Sequence, residues 1–386
     1  MGKPSSANGK KVTARVAVVA AGVVSPLGFG LTETLESLCN SRDCVSPVIR
    51  FSVEQCRCKT AGQIPDDRLL ASRGDVPRSR RLHRASHMMI EALKEVVTQA
   101  PQFKPELTVI GTTSGGMSYG EDYYRSLHQG RRLRRAPTWI ANYPAQKPVL
   151  DAQETFGISS PCQVIANACA SGTNAIGHAF ECVRSGRYQR VLAGGFDAVS
   201  EMVFVGFDSL QASTPEKCRP FDRNRTGMVL GEGAAILALE NLDLAGERGA
   251  PVLAEIIGSM ERALQSGNIS ADAVDYINAH GTATLFNDAA EGKAISRLFD
   301  GVPVSSTKSM MGHSLGAAGA VEAIVCLLAL QHQFLPANIN FGALDDHLAL
   351  NIVANEARPA AVHTALSNSF GFGGTNASIL MRKSEA

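Results

Sequence analysis

The sequence predicts an α/β fold, and three features carry that prediction. Short apolar runs rich in Val, Ile and Ala alternate with longer amphipathic stretches, the pattern of sheets covered by helices. At 386 residues the chain is long enough for two core-bearing units. Many of its 36 glycines gather around a few cysteine and histidine segments, which points to close backbone approaches rather than flexible linkers.

Taken in order, residues 16–24, 107–112, 163–166, 190–193 and 233–239 read as buried strands, and 32–39, 86–99, 171–185 and 316–331 as helices. The first run is β-branched and ends in the turn Ser25-Pro26-Leu27-Gly28. A buried strand explains it better than a signal peptide does. A second series opens near Val252, with strands expected at 253–257, 276–279, 303–305 and 377–381. The polar stretch 242–249 lies between the two series, so the chain divides into residues 1–246 and 247–386.

Basic and acidic side chains number 37 and 36, which gives no electrostatic reason to expect nucleic acid or an anionic membrane as partner. No apolar run is read as long enough to cross a bilayer. Nine scattered cysteines, an odd number, suit a reducing cytoplasm better than a disulfide framework. Cys56 and Cys58 form a C-x-C pair with no second pair at zinc spacing, so no metal site is expected.

Four segments carry chemistry. In QVIANACASGT, residues 163–173, a short apolar strand runs into small residues and then a helix. Cys169 then sits at a strand-to-helix turn, where unpaired N–H groups and the helix dipole favour a thiolate. A buried structural cysteine is the competing reading, and this segment alone does not separate the two. In YINAHGTAT, residues 276–284, a strand delivers His280 to a glycine turn. In SSTKSMMGHSLG, residues 305–316, Lys308 and His313 ride a small-residue loop that leads into an apolar helix. Each histidine taken singly also reads as a satisfied structural residue. Glu322 is a lone acid in that helix and is costly to bury unpaired, which makes Lys308 its natural partner. In NSFGFGGTN, residues 368–376, three glycines surround Phe372. That is either a tight β-turn before the last strand or a loop whose backbone closes on something.

In this order the four segments resemble the β-ketoacyl-acyl-carrier-protein synthases, most of all the type II elongating enzymes. Arg219-Pro220-Phe221-Asp222, Gly231-Glu232-Gly233 and Val24-Ser25-Pro26-Leu27-Gly28 match as well, so the resemblance runs from about Val12 to Lys383. It implies a thiolase fold: two similar halves in a five-layered αβαβα sandwich, paired as a homodimer or with a ketosynthase paralogue. It also implies decarboxylative condensation of an acyl thioester with malonyl-acyl-carrier protein, which extends a fatty acid, polyene or polyketide chain by two carbons.

The resemblance further implies roles for single residues. Cys169 takes the acyl group, and its N–H and that of Phe372 form an oxyanion hole. Phe372 also gates the acyl chain. His280 and His313 donate hydrogen bonds to the thioester oxygen. Lys308, held by Glu322, lends positive charge. Thr282 and Thr284 hold the pantetheine arm, while Ser114 and Phe370 belong to the substrate site. The phosphopantetheine arm of acyl-carrier protein brings the substrate, and no tightly bound cofactor is implied. Arg131, Arg132, Arg134 and Arg135 form a basic run in the part of the chain where the family docks acidic carrier protein; a solvated surface is the plainer reading.

One departure stands out. After Ile257-Gly258-Ser259-Met260 the family has a loop with a threonine lining the pantetheine tunnel, followed by most of a helix. Here residues 259–274 must join two strands directly, close to the shortest crossover that parallel strands allow. The expectation is an uncovered patch of sheet and an opened tunnel wall, with the fold kept. The gap also keeps a non-catalytic partner subunit in play, although the chain-length factors of that kind lack the cysteine found here. A thiolase needs a second cysteine near the C-terminus, whereas the last one here is Cys326, inside a predicted helix.

Reversing the charges of Arg131, Arg132, Arg134 and Arg135 together is expected to raise the Michaelis constant for carrier-bound substrate by about fivefold or more, because charges at the edge of an interface act mainly on encounter. Steady-state kinetics with acyl-carrier protein substrates measures this, and an unchanged constant removes the docking role.

Overall fold

The structure, a computed structural model, describes residues 13–71, 82–130, 136–259 and 263–384. The arginine run at 131–135 lies outside the described residues. Ten strands carry the architecture: β1 (Val16–Ser25), β2 (Leu107–Gly111), β3 (Cys162–Ile165), β4 (Arg190–Asp197), β5 (Gly233–Asn241), β6 (Ala254–Ser259), β7 (Tyr276–Asn278), β8 (Pro303–Ser305), β9 (Thr364–Gly371) and β10 (Thr375–Arg382).

The first five lie in the order β3-β2-β4-β5-β1 and the last five in the order β8-β7-β9-β10-β6. In the first set β3, β2 and β4 are parallel, while β4/β5 and β5/β1 are antiparallel. In the second, β8, β7 and β9 are parallel, while β9/β10 and β10/β6 are antiparallel. Order and direction therefore repeat strand for strand, although residue identity does not display the repeat. The two sheets meet where β1 and β6 pair antiparallel, with Val16 opposite Ile256. All ten residues of β1 are buried, so it reads as a continuous apolar run without alternation.

Helices cover both sheets. They include α1 (Arg84–Gln99), α2 (Met117–His128), α3 (Ala136–Asn142), α4 (Lys147–Thr155), α5 (Ser171–Arg184), α6 (Glu201–Ser209), α7 (Ala263–Gly267), α8 (Leu285–Leu298) and α9 (Ala318–His332). Helices α5 and α9 each touch strands of both sheets and form the middle layer, with α1 and α4 outside one sheet and α7 outside the other. The result is the thiolase-type αβαβα sandwich.

The middle layer is thin because small residues line it. A Cβ on Gly172 in α5 would stand 2.7 Å from the carbonyl oxygen of Gly316 and 3.0 Å from the nitrogen of Ala320. One on Gly319 in α9 would overlap the hydroxyl oxygen of Thr173. Glycine is required there for contact between the two helices. The crossing sets the residues just before α5 beside those just before α9.

Three expectations change. The segment Leu315–His332 is long and apolar enough to cross a membrane, against the expectation that no run reaches that length, yet it is 89% buried inside the protein. It is apolar all round because it is packed all round. Residues 364–371 form a central strand that the sequence hides, since β9 reads TALSNSFG and has no apolar run. The glycine segment then becomes the tip of the β9–β10 hairpin, with Gly373 and Gly374 at φ of 95° and 85°. Finally, the short connection does not uncover the sheet. Helix α7 lies directly on β6 and β10, and Ala263 and Val274 bury Ile257 and Leu380 in one cluster. The equivalent place in the first half holds α1, with 16 residues against the five of α7.

Gly172→Ala is expected to lower the unfolding free energy by about 1–3 kcal/mol, the usual cost of forcing a methyl into a packed core. Gly246→Ala, where an added Cβ meets nothing within 4 Å, should leave it nearly unchanged. Urea denaturation of the two variants side by side provides the comparison.

Candidate active site

Strand β3 ends at Ile165, Ala168 takes a left-handed φ of 59°, and α5 starts at Ser171. The Ser171 hydroxyl ties the turn, donating to the Ala168 carbonyl at 2.5 Å and accepting the Asn167 N–H at 3.0 Å. This turn holds Cys169 almost fully buried. Burial pushes the thiol up to about 11; Lys308 and the backbone N–H groups of Phe372 and Cys169 pull the other way. The sequence-based expectation of a thiolate is therefore overturned. Desolvation outweighs the helix terminus, and the resting sulfur carries its proton at neutral pH.

Strand β7 delivers His280. The backbone N–H groups of His280 and Gly281 both donate, at 2.8 Å each, to the carboxylate of Glu291 in α8. Glu291 is itself buried, which pushes it up to about 7 against the pull of those two N–H groups. His313 is fixed by its backbone: its N–H donates to the Val229 carbonyl at 2.7 Å, and its carbonyl accepts the Gly231 N–H at 2.8 Å. The two imidazoles meet edge to face, with centroids 5.2 Å apart, and Phe370 packs on His280 at 5.9 Å. Burial drives both imidazoles well below their ordinary range; Lys308 adds to this for both, and His313 for His280. Both rings are thus neutral. Among the described residues, neither ring nitrogen of His313 has a hydrogen-bond partner, nor does Nδ1 of His280.

Lys308 is fully buried and bonds the Glu322 carboxylate. Burial raises Glu322 to about 7, with Lys308 opposing. Cys169, His280, His313, Thr282, Thr284, Phe370 and Phe372 line a single cavity of about 570 Å³, while Lys308 and Glu322 stand behind its wall. The hydroxyls of Thr282 and Thr284 lie 2.9 Å apart. Phe372, at the hairpin tip, is 60% exposed, and its ring rests 5.5 Å from that of Phe207. Ser114 is not on this wall; its hydroxyl donates to Asp197 at 2.7 Å.

Two buried acids escaped the sequence reading. Asp197, the last residue of β4, accepts hydrogen bonds from Thr112, Thr113, Ser114 and Gly316 at 2.7–2.8 Å. It binds the β2 loop to the segment that opens α9. Glu291 orients the His280 turn. The available signal was an acid at the end of an apolar strand, and another in the helix just after NAHGTAT.

The resident chemistry is a condensing-enzyme site at the meeting of two thiolase-type halves. The family model described as "Beta-ketoacyl synthase, N-terminal domain" matches residues 13–245, and "Beta-ketoacyl synthase, C-terminal domain" matches residues 245–342. This chain belongs to the β-ketoacyl synthase family. It is similar to 3-oxoacyl-[acyl-carrier-protein] synthase 2 of Synechocystis sp., at 31% identity over 408 aligned positions covering 96% of this chain and 98% of that one. That alignment is longer than the chain itself and so requires gaps in it. Among solved structures it is similar to the ishigamide ketosynthase/chain length factor, with TM-score 0.91, 30% identity, and 96% of this chain and 100% of that one covered. It is also similar to a type II PKS acyl-carrier protein in complex with its ketosynthase bound to the hexaketide, with TM-score 0.86, 26% identity, and the same coverage.

Because the thiol's proton leaves only near pH 11, alkylation of Cys169 by iodoacetamide should be slow at pH 7. It should then climb about tenfold per pH unit through pH 10, as the thiolate fraction does. Peptide mass spectrometry reports this site by site; a plateau already reached at pH 8 would mean a thiolate poised at neutrality.

Proposed function

We propose that this chain catalyses the decarboxylative Claisen condensation of an acyl thioester with malonyl-acyl-carrier protein, releasing a β-ketoacyl-carrier protein two carbons longer. One observation carries the proposal: Cys169, His280 and His313 open on the same cavity, with the buried Lys308, bonded to Glu322, behind them.

In the first stage the Cys169 sulfur attacks the acyl carbonyl delivered on a phosphopantetheine arm. The C–S bond to the arm breaks, and the proton lost by Cys169 leaves with the arm thiol. The N–H groups of Cys169 and Phe372, which already point at this sulfur, are placed to stabilise the tetrahedral oxyanion. In the second stage a malonyl thioester occupies the cavity. His280 and His313 are neutral, so each can donate one hydrogen bond to the thioester oxygen without giving up a charge. Lys308 supplies positive potential while the carboxylate leaves as carbon dioxide and the enolate forms. The enolate carbon then attacks the acyl group on Cys169, the C–S bond breaks, and the departing thiolate takes up one proton from solvent to restore the thiol. Thr282 and Thr284 offer paired hydroxyls to the amides of the arm. Glu322 keeps Lys308 in place, and the Phe372 ring moves aside for the acyl chain.

The non-catalytic reading, a partner subunit of the chain-length-factor kind, is weaker, because Cys169 and both histidines are kept and face one cavity. A second copy of this chain is the proposed assembly partner. Strand β3 is at the edge of the sheet, and α2, α3 and α6, of which α2 packs on the other two, expose Tyr124, Leu127, Ile140 and Met202. All nine cysteines are free, which supports a cytoplasmic setting.

The test mixes purified protein with octanoyl- and malonyl-carrier protein and follows the carriers by intact-protein mass spectrometry. The expected product is a ketoacyl-carrier two carbons longer, absent with Cys169→Ala. Lys308→Ala should slow decarboxylation by about 10²-fold or more, the scale of losing one preorganised charge at a developing anion. A folded protein that neither acylates Cys169 nor forms product across several chain lengths would favour the partner-subunit reading.

A further inference from the structure

One buried acid close to the cavity takes no part in the proposed chemistry. Asp197 ends β4 and is fully buried. Donors occupy both of its oxygens. Oδ1 accepts the Thr112 hydroxyl at 2.8 Å, and the Ser114 N–H and hydroxyl at 2.8 and 2.7 Å. Oδ2 accepts the N–H groups of Thr113 and Gly316 at 2.8 and 2.7 Å. A carboxylate offers about four lone-pair sites, so these donors saturate it. Burial raises this carboxyl, and the bonds from Ser114, Thr112 and Thr113 oppose the rise. A carboxylate is costly to bury, and an apolar side chain could fill the same space without that cost.

Two segments of the candidate site converge on this group. On one side the Thr112 N–H donates to the carbonyl of Ile165 at 3.0 Å, and Ile165 ends β3, where the turn carrying Cys169 begins. On the other side Gly316 follows His313 by way of Leu315, whose φ of 53° is left-handed. A non-glycine residue keeps that conformation only where its surroundings hold it, and the bond from the Gly316 N–H to Asp197 pins the very next peptide. A Cβ on Gly316 would stand 2.6 Å from the Thr113 nitrogen and 2.7 Å from Oδ2 of Asp197. The segments therefore meet at the carboxylate with no room for a side chain between them.

We propose that Asp197 is a positioning residue of the condensing site, a carboxylate clamp that fixes the His313 segment against the Cys169 turn. The inference rests on the condensing reading above. The enolate formed beside His313 has to reach the acyl group on Cys169, and these two residues come from different halves of the chain. A misplacement of about 1 Å between reacting groups costs on the order of 10²-fold in rate. Asp197 bonds to both halves at once, through the β2 loop and through Gly316. It does not line the cavity, so its loss should slow turnover without weakening the hold on substrate.

Asp197→Asn tests this, because an amide keeps one acceptor oxygen and turns a donor on the remaining N–H groups. Condensation is followed by intact-protein mass spectrometry with octanoyl- and malonyl-carrier protein. The variant should lower kcat by about tenfold or more and keep KM for malonyl-carrier protein within about twofold. Thr112→Val removes a single donor at nearly constant shape and should lower kcat by about threefold, again at constant KM; it carries the test if the first variant does not fold. Hydrogen-exchange mass spectrometry needs no turnover. In Asp197→Asn, peptides spanning 165–171 and 312–317 should lose protection by about tenfold while those of β1 keep theirs. Equal loosening throughout the chain, a raised KM with kcat kept, or an unchanged kcat in both variants would each overturn the clamp. Wild-type protein that forms no condensation product, while Asp197→Asn still loosens those two segments alone, would sink the condensing reading and leave the clamp standing.

Discussion

The contact between α5 and α9 is the constraint on which the rest of the molecule depends. Each helix belongs to a different half, and each is preceded by a segment of the candidate site: Cys169 before α5, and Lys308 and His313 before α9. The helices approach as closely as they do because Gly172 and Gly319 present no side chain at the crossing. Asp197 finishes the junction. It gathers donors from the β2 loop and from Gly316, so the two halves share one buried carboxylate at the catalytic end. Two sheets of the same topology become a single site at this seam.

The electrostatics of the site follow from the depth of that seam. Burial in low dielectric penalises every charged form, and the groups respond as expected: the Cys169 thiol keeps its proton and both imidazoles stay neutral. Lys308 is buried among them and bonds the Glu322 carboxylate. A buried ion pair seldom adds stability over a well-packed apolar pair. In the proposed reaction its place is chemical, since it lies behind a cavity in which negative charge must develop. The unpartnered nitrogens of His313 are the counterpart, polar groups left unsatisfied in the resting protein and available to a thioester oxygen.

The two halves share a topology but differ in the helix that covers each sheet. In the first half α1 covers β1 and β5 over its length, whereas in the second α7 covers β6 and β10 with a single short turn of helix. The satellite cluster around Ile257, Val274 and Leu380 shows how the sheet tolerates this, because the buried area is closed locally without a long helix.

The sequence by itself determined the fold class, the family and the chemical groups of the site. The alternation of apolar runs is a local signal, and ACASG, NAHGTAT, STKSMMGH and NSFGFGGTN each lie within one short segment. It also put Lys308 with Glu322, since a lone acid in an all-apolar helix needs a nearby cation. Only the tertiary structure decided what depends on depth and distance. Strand β9 is buried at the centre of its sheet although its residues are small and polar. Asp197 and Glu291 act as anchors because backbone N–H groups from distant segments converge on them. Cys169 rests as a thiol, against the expectation from its place at a helix start, because the free energy of burying a charge depends on everything packed around the sulfur and not on its neighbours in the chain.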